Sequence, residues 1–520
     1  MMAPARSEAT RGAAMTETQG EGGRTERAAL DMSAEEFRAA GHRLVDRLAE
    51  FYESLRARPV TRGESPEVIR GLVGRGPLPA RGTPAEALLA EVVPLLCDHS
   101  LHNGHPRFLG YITSSAAPLG ALADLLAAAV NPNVGKWDLA PVATEIEAQA
   151  VRWLAELVGY GTPCGGIMVS GGNMANILAF LAARHAKAPW NLRADGVGAD
   201  PRRLTVYASR ETHTWIEKAA DLSGLGTTAI RWLATDSTQR LDVAALEREI
   251  DADRAAGRWP FLVVGTAGSV STGAVDPLER IAAVARRHGL WFHVDGAYGA
   301  PAAALPDAPP DLKALGLADS LALDPHKWLY APLEAACTVV RDPAALMNAF
   351  SYRPRYYHLD QQGAESMTNY FEHGLQNSRG FRALKVWLCL RHVGRDGYVR
   401  MIRDDVALAR RLFEAARRHT ELEARTQSLS IATFRYRPAA ARGGGDAWGK
   451  YLDALNTELL GALEREGECF LSNAVIDGAQ YLRACIVNFR TRVEDVDALP
   501  EIVARRGRRL DAELRPAALR

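Results

Sequence analysis

Four short motifs in this 520-residue chain carry side chains of types that do chemistry, each just after an apolar run or just before a helical one. Lys327, in Asp324-Pro325-His326-Lys327-Trp328, follows the run Ser320–Leu323. A lysine amine forms Schiff bases with carbonyl compounds, although a lysine after a strand is also an ordinary solvated charge. Asp295, in His293-Val294-Asp295-Gly296-Ala297-Tyr298, ends the run Leu290–Val294. An acid at a strand's carboxyl end faces whatever binds there; it equally suits a helix N-cap. Ser170-Gly171-Gly172-Asn173 precedes an apolar helical run through Leu181. Glycines let a backbone approach a phosphate, and a helix N-terminus presents free N–H groups and the positive end of its dipole. A Gly-Gly pair is also a common tight turn, and no Gly-Lys-Ser/Thr follows to make a P-loop. His213, in Ser209-Arg210-Glu211-Thr212-His213, suits stacking on an aromatic ligand and proton exchange near neutral pH; the plainer reading is a hydrogen-bonded loop histidine.

These residues need elements that bring them to one edge. The runs Leu204–Ala208, Phe261–Thr266, Leu290–Val294, Ser320–Leu323 and Cys337–Val340 alternate with helical patterns such as Asp242–Ile250 and Leu278–His288. That alternation predicts a mostly parallel sheet covered on both faces, with ligands at the strands' carboxyl ends. Upstream, Ser33 and Glu36 form a capping box ahead of a helix reaching about Leu55, a Gly/Pro-rich connector runs from Pro59 to Pro84, and Glu86–Leu96 is helical again. After residue 386 a helix at Arg400–His419, strands at Ser430–Tyr436 and Tyr481–Asn488, and a helix at Asp446–Glu466 predict a small α+β domain, with 439–445 a mobile loop. The expected organisation is a disordered tail over 1–31, a helical segment over 32–117, a large α/β domain over 118–385 and a C-terminal domain over 386–520.

Composition removes other classes. Lys+Arg and Asp+Glu both number 62, so the formal net charge is zero and no basic footprint points to nucleic acid. The apolar stretch Leu119–Val130 is interrupted by Asp124 and too short to span a bilayer. Six cysteines without a CxxC pair read as reduced thiols in a cytoplasmic protein. Cys97, His99, His102 and His105 have metal-type side chains at close spacing, but Gly104 and Pro106 break any helix that would align them, so no metal site is expected.

Taken in order, the motifs resemble the group II pyridoxal-5′-phosphate decarboxylases, especially the aromatic-L-amino-acid branch. The resemblance runs from about Phe37 to Val496 and also takes in His105-Pro106-Arg107-Phe108, Thr144-Glu145, Thr266-Ala267-Gly268, Phe381-Arg382-Ala383-Leu384-Lys385 and Leu482-Arg483. It implies a fold of the aspartate-aminotransferase type (fold type I), a pyridoxal phosphate cofactor and a homodimer with active sites at the interface, the segment 32–117 packing on the partner. Lys327 then matches the Schiff-base lysine, Asp295 the partner of the pyridine nitrogen, and His213 the histidine stacked on the ring. Thr266 and Ala297 match cofactor-lining residues, while Gly171, Gly172, Asn173 and His326 fall where the family holds the phosphate. Tyr356 matches the loop tyrosine that returns a proton to the carbon that lost CO2, with Tyr352 and Tyr357 as neighbouring alternatives. Tyr111, Ile112, Thr113, Ser114 and Trp137 match substrate-pocket positions, and in a loop that the family supplies from the partner subunit Asn133 and Gly135 stand where larger apolar residues occur, implying a roomier or more polar pocket. Asp324 departs from the family, which often has Asn or Ser there. A carboxylate repels a nearby phosphate, so Asp324 is expected to face a backbone donor or a cation. The activity implied is decarboxylation of an aromatic L-amino acid. The alternatives are an aldehyde synthase, a decarboxylase of acidic or diamino acids and, from another class, a non-catalytic binding protein on the same fold.

Overall fold

A computed structural model describes residues 28, 30–352, 367–439 and 445–519. Most of the expected tail (1–27 and 29) and the centre of the expected loop 439–445 lie outside the described residues.

The chain divides into two compact units. The first comprises residues up to Glu53 and Arg75–Asp98. Its helix Ala34–Ser54 starts at the predicted capping box: Ser33 Oγ accepts from Glu36 N at 3.1 Å, and the Glu36 carboxylate accepts from Ser33 N at 2.6 Å. A second helix, Ala85–His99, follows, and neither helix buries a residue.

The second unit, Ser54–Gly74 with His99–Arg520, holds both sheets. In the larger, the strands are β1 (Gly165–Val169), β2 (Leu204–Ser209), β3 (Ile230–Leu233), β4 (Trp259–Thr266), β5 (Trp291–Asp295), β6 (Ser320–Leu323) and β7 (Ala336–Val340). They stand in the order β1-β7-β6-β5-β4-β2-β3. The pairs β2–β3, β2–β4, β4–β5 and β5–β6 are parallel, while β7 runs antiparallel to both neighbours. Successive side chains of a strand point to opposite faces. Thus Phe292 and Val294 enter one apolar cluster and Trp291 the other, as Leu321 and Leu323 do against Ala322. With both faces buried, the strands read as near-continuous apolar runs.

Two strands here escaped the sequence reading. β1 opens with two glycines, and β3 is four residues long with Trp232 partly exposed. The smaller sheet is antiparallel in the order β10-β11-β9-β8, from β8 (Leu422–Ser428), β9 (Ile431–Tyr436), β10 (Ser472–Ile476) and β11 (Ala479–Cys485). The domain boundary expected at 385/386 falls inside one helical stretch, Ala383–Arg418, which bends at Gly394 where φ is +67°. That stretch packs on both the large domain and the small sheet, so one element serves two layers. The motif at 105–108 is tied down structurally, since Asn488 Nδ2 donates to His105 O and Thr491 Oγ1 to Pro106 O, both at 2.8 Å.

Candidate active site

The carboxyl ends of β1, β2, β4, β5 and β6 meet at a cavity of ≈ 310 Å³ in the second unit. Lys327, Asp295, His213, Thr266, Ala297, His326 and the Ser170–Asn173 turn all line it. These residues span more than 150 positions of sequence, and the parallel order brings them together, because every parallel strand delivers its last residue to the same edge.

Asp295 ends β5 with its carboxylate held from two sides. Trp215 Nε1 donates to Oδ2 at 2.8 Å and Ala297 N donates to Oδ1 at 3.2 Å. Behind it, His293 is fully buried. Its Nε2 lies 2.7 Å from Asn176 Oδ1 and its Nδ1 2.8 Å from Ser320 Oγ. Burial pushes His293 down to about 4, so the ring is neutral. Asn176 also donates from Nδ2 to Gly172 O at 2.9 Å, which links this neutral network to the glycine turn.

The helix Gly172–Lys187 begins at the cavity, so its first N–H groups, which lack intrahelical acceptors, face it. A Cβ on Gly172 would stand 2.5 Å from Asp324 Oδ2, so the space above the turn needs glycine. Asp324 is 2% exposed; its Oδ2 lies 3.1 Å from Lys327 Nζ and 3.7 Å from His326 Nε2. The partner is therefore a cation, one of the two expected kinds. Burial alone would lower the Lys327 ammonium's pKa, but Asp324 and Asp295 outweigh it and raise it. Burial lowers His213 against the pull of Asp295, and its Nδ1 accepts from Trp215 N at 3.3 Å. That bond assigns the ring proton to Nε2.

Other expected residues lie elsewhere. Ser114 is buried with its Oγ donating to His326 O at 2.9 Å, which steadies the backbone before Lys327. Trp137 donates from Nε1 to Glu145 at 2.9 Å, and Tyr111 is mostly exposed with its ring against Phe470. None of these three lines the cavity, whereas Ile112, matched to the same pocket, does. Asn133 Oδ1 is spent on the backbone, accepting from Gly135 N and Arg379 N at 3.1 Å each, and a Cβ on Gly135 would meet Asn377 O at 2.1 Å. The small residues there serve a close-packed loop. Tyr356 and Tyr357 lie outside the described residues, and Tyr352 is exposed beneath Arg193. His99, His102 and His105 do not converge: His99 pairs with Glu64, His102 Nδ1 faces Pro59 O, and His105 Nδ1 accepts from Arg107 N. Among the described residues no cluster suited to a metal forms.

The family model described as "Pyridoxal-dependent decarboxylase conserved domain" matches residues 76–437. The chain belongs to that family. An aromatic-L-amino-acid decarboxylase of Bacillus atrophaeus is 31% identical over 90% of this chain and 94% of its own. The tryptophan decarboxylase TDC1 of Camptotheca acuminata is 30% identical over 88% and 90%. A crystal structure of Oryza sativa TDC with PLP and tryptamine superposes with a TM-score of 0.85 at 28% identity, covering 93% of this chain and 100% of that one.

The chain is thus an amino acid decarboxylase that uses pyridoxal 5′-phosphate. The cavity suits this group on its own evidence. It offers a primary amine, an acid anchored by an indole, a glycine turn at a helix N-terminus and a buried Thr266 hydroxyl with no hydrogen-bond partner. The sequence reading missed Trp215 and Asn176 at this site and gave no role to Glu211, which lies in the His213 motif and lines the cavity. Trp215 stands only two residues after His213, but its partner Asp295 is 80 positions away and no local pattern pairs them. Among the described residues no helix is long and apolar enough to cross a membrane.

Proposed function

We propose that this decarboxylase removes the carboxylate from an aromatic L-amino acid, with Lys327 holding the cofactor through its carbonyl and Asp295 through its ring nitrogen. The single observation that carries the residue roles is the convergence of Lys327, Asp295 and His213 on one cavity with the Gly171–Asn173 turn. When bound, the cofactor supplies an electron-accepting ring. Asp295, its charge oriented by Trp215, would keep that ring protonated. His213 would lie against it as a neutral imidazole, its Nε2–H free to donate to the substrate. The N–H groups of Gly171, Gly172 and Asn173, with His326, would hold the phosphate, and Thr266 and Ala297 would bound the ring. Tyr356 would return a proton to the carbon that has lost CO2.

Support for an aromatic substrate comes from the relatives named above and from Ile112, Val270 and Leu333, which give the cavity apolar lining. Tyr111, Ser114 and Trp137 do not line this cavity, so their substrate roles rest on the family resemblance, Ser114 acting through the backbone before Lys327. We read the protein as a homodimer. The helices Ala34–Ser54 and Ala85–His99 bury nothing and expose Phe37, Val45, Leu88, Val92 and Leu96, as a partner-facing surface would. All six cysteines are free thiols, which supports a cytoplasmic setting.

The experiment is a visible spectrum of the purified protein, then CO2 and amine detection with L-tryptophan, L-tyrosine, L-phenylalanine, L-DOPA, L-glutamate and L-2,4-diaminobutyrate. Amine from an aromatic substrate alone bears out the reading; turnover only of the acidic or diamino substrate sinks it. In the same assay Tyr356→Phe should divert product from amine to aldehyde, and an unchanged amine yield moves the role elsewhere. Sedimentation of the holoenzyme as a monomer would refute the dimer.

A further inference from the structure

Asp324 places a carboxylate against the turn where the phosphate is proposed to sit. Its Oδ2 is where a Gly172 Cβ would come within 2.5 Å, and the group is 2% exposed. Its Oδ1 is buried and has no hydrogen-bond partner. An orphaned carboxylate oxygen at a helix N-terminus wants a donor, and the backbone N–H groups of the turn are on offer to the ligand as well. The charged and titratable groups around it do not remove the conflict. From its own turn come Lys327 at 3.1 Å and a His326 that burial keeps neutral. His213 from the β2 turn is also neutral, Asp295 on β5 is a second anion, and burial keeps the Cys337 thiol on β7 protonated. Lys327 is the one cation bonded to Asp324 among the described residues, and it is the group that must turn toward the cofactor's carbonyl.

Two anions in contact in a dry site cannot both keep full charge, and one takes up a proton. A phosphate monoester has its second ionisation near pH 6, so the phosphate is the partner that brings such a proton within reach. We propose that Asp324 holds the cofactor's phosphate through a shared proton, drawn from solvent on binding, so that cofactor affinity falls as pH rises. The inference rests on the placement of the phosphate at the Gly171–Asn173 turn. Below pH 6 the ligand arrives already protonated. Above about pH 7 it arrives as the dianion, and each pH unit then costs about tenfold in affinity. Asp324→Asn presents an amide donor of the same shape, takes up no proton and binds the dianion directly.

The test uses apoenzyme and pyridoxine 5′-phosphate, which lacks the aldehyde and cannot condense with Lys327. Calorimetric titration at pH 8 in two buffers of different ionisation enthalpy counts the protons taken up. Wild type should take up about one proton more than Asp324→Asn, and the variant should bind about tenfold tighter at pH 8, with the gap closing near pH 6. Equal proton counts in the two proteins overturn the proposal, whatever their affinities. Asp324→Ser, titrated alongside with thermal melts of each apoprotein, guards against a folding defect and should also lose the extra proton. Gly172→Ala tests the placement separately: if its methyl group leaves the preference for pyridoxine 5′-phosphate over pyridoxine intact, the phosphate lies elsewhere. If that preference collapses while wild type and Asp324→Asn take up the same number of protons, the shared proton alone is wrong.

Discussion

Trp215 donates its indole N–H to Oδ2 of Asp295 across 2.8 Å, from a helix that begins two residues after His213. The indole is fully buried, and His293 meets it edge-on at 5.7 Å. One residue thus aims the acid with its side chain and, through its backbone N–H, sets the tautomer of His213. Trp215→Phe keeps the packing and removes the donor. A hydrogen bond to a charged group contributes about 1.5–3 kcal/mol, so cofactor affinity should fall about tenfold to a hundredfold. Titration of apoenzyme with pyridoxal phosphate reads this, and an unchanged affinity would mean that Asp295 is aimed by other contacts.

Lys327→Ala should abolish turnover and the borohydride-sensitive visible band, while the fold survives because Lys327 lies at a cavity wall and not in a packed core. An active yellow variant would refute the assignment of this lysine.

Arg379 and Glu147 form a buried ion pair at 2.5 Å, with side chains 1% and 0% exposed. Arg379 also donates to Val134 O and Met168 O, tying the Asn133–Gly135 loop to β1. Arg379→Gln strands the Glu147 charge and should cost about 3–5 kcal/mol in urea unfolding. A loss below about 1 kcal/mol would show that the site relaxes around the missing charge.

Asp405 sits under the active-site turn and accepts from Trp328 Nε1 at 2.8 Å and Tyr330 OH at 2.6 Å. Burial raises it to about 7, against those two hydrogen bonds, from 3.8. A carboxyl whose folded pKa is raised stabilises the native state at low pH, where only the folded form holds the proton. That contribution is lost as pH climbs from about 4 through 7, about 3 kcal/mol of it between pH 5 and 8. Asp276, raised to about 6, adds a loss of the same sign. Asp405→Asn should shrink the difference in urea stability between pH 5 and 8, and an unchanged difference would exclude Asp405 as its source.

The residues alone determined the class of element around each motif and the chemistry each side chain is capable of. Alternating apolar runs and helical patterns carried the parallel sheet, because a strand covered on both faces reads as apolar and ends where a ligand binds. Lys327, Asp295, His213 and the Gly171-Gly172 turn were legible for that reason. Strands β1, β3, β8 and β10 were not, since two glycines, a short length or half-exposed alternation leave little apolar signal. Tertiary structure decided the rest. Which donor meets which acceptor depends on register between distant strands, so Trp215 with Asp295, His293 with Asn176 and Arg379 with Glu147 cannot be read from local order. The same holds for Ser114 and Trp137, whose polar atoms turn to a backbone carbonyl and to Glu145 instead of the cavity. Spacing along the chain says which side chains share an element; only packing says which of them share a proton.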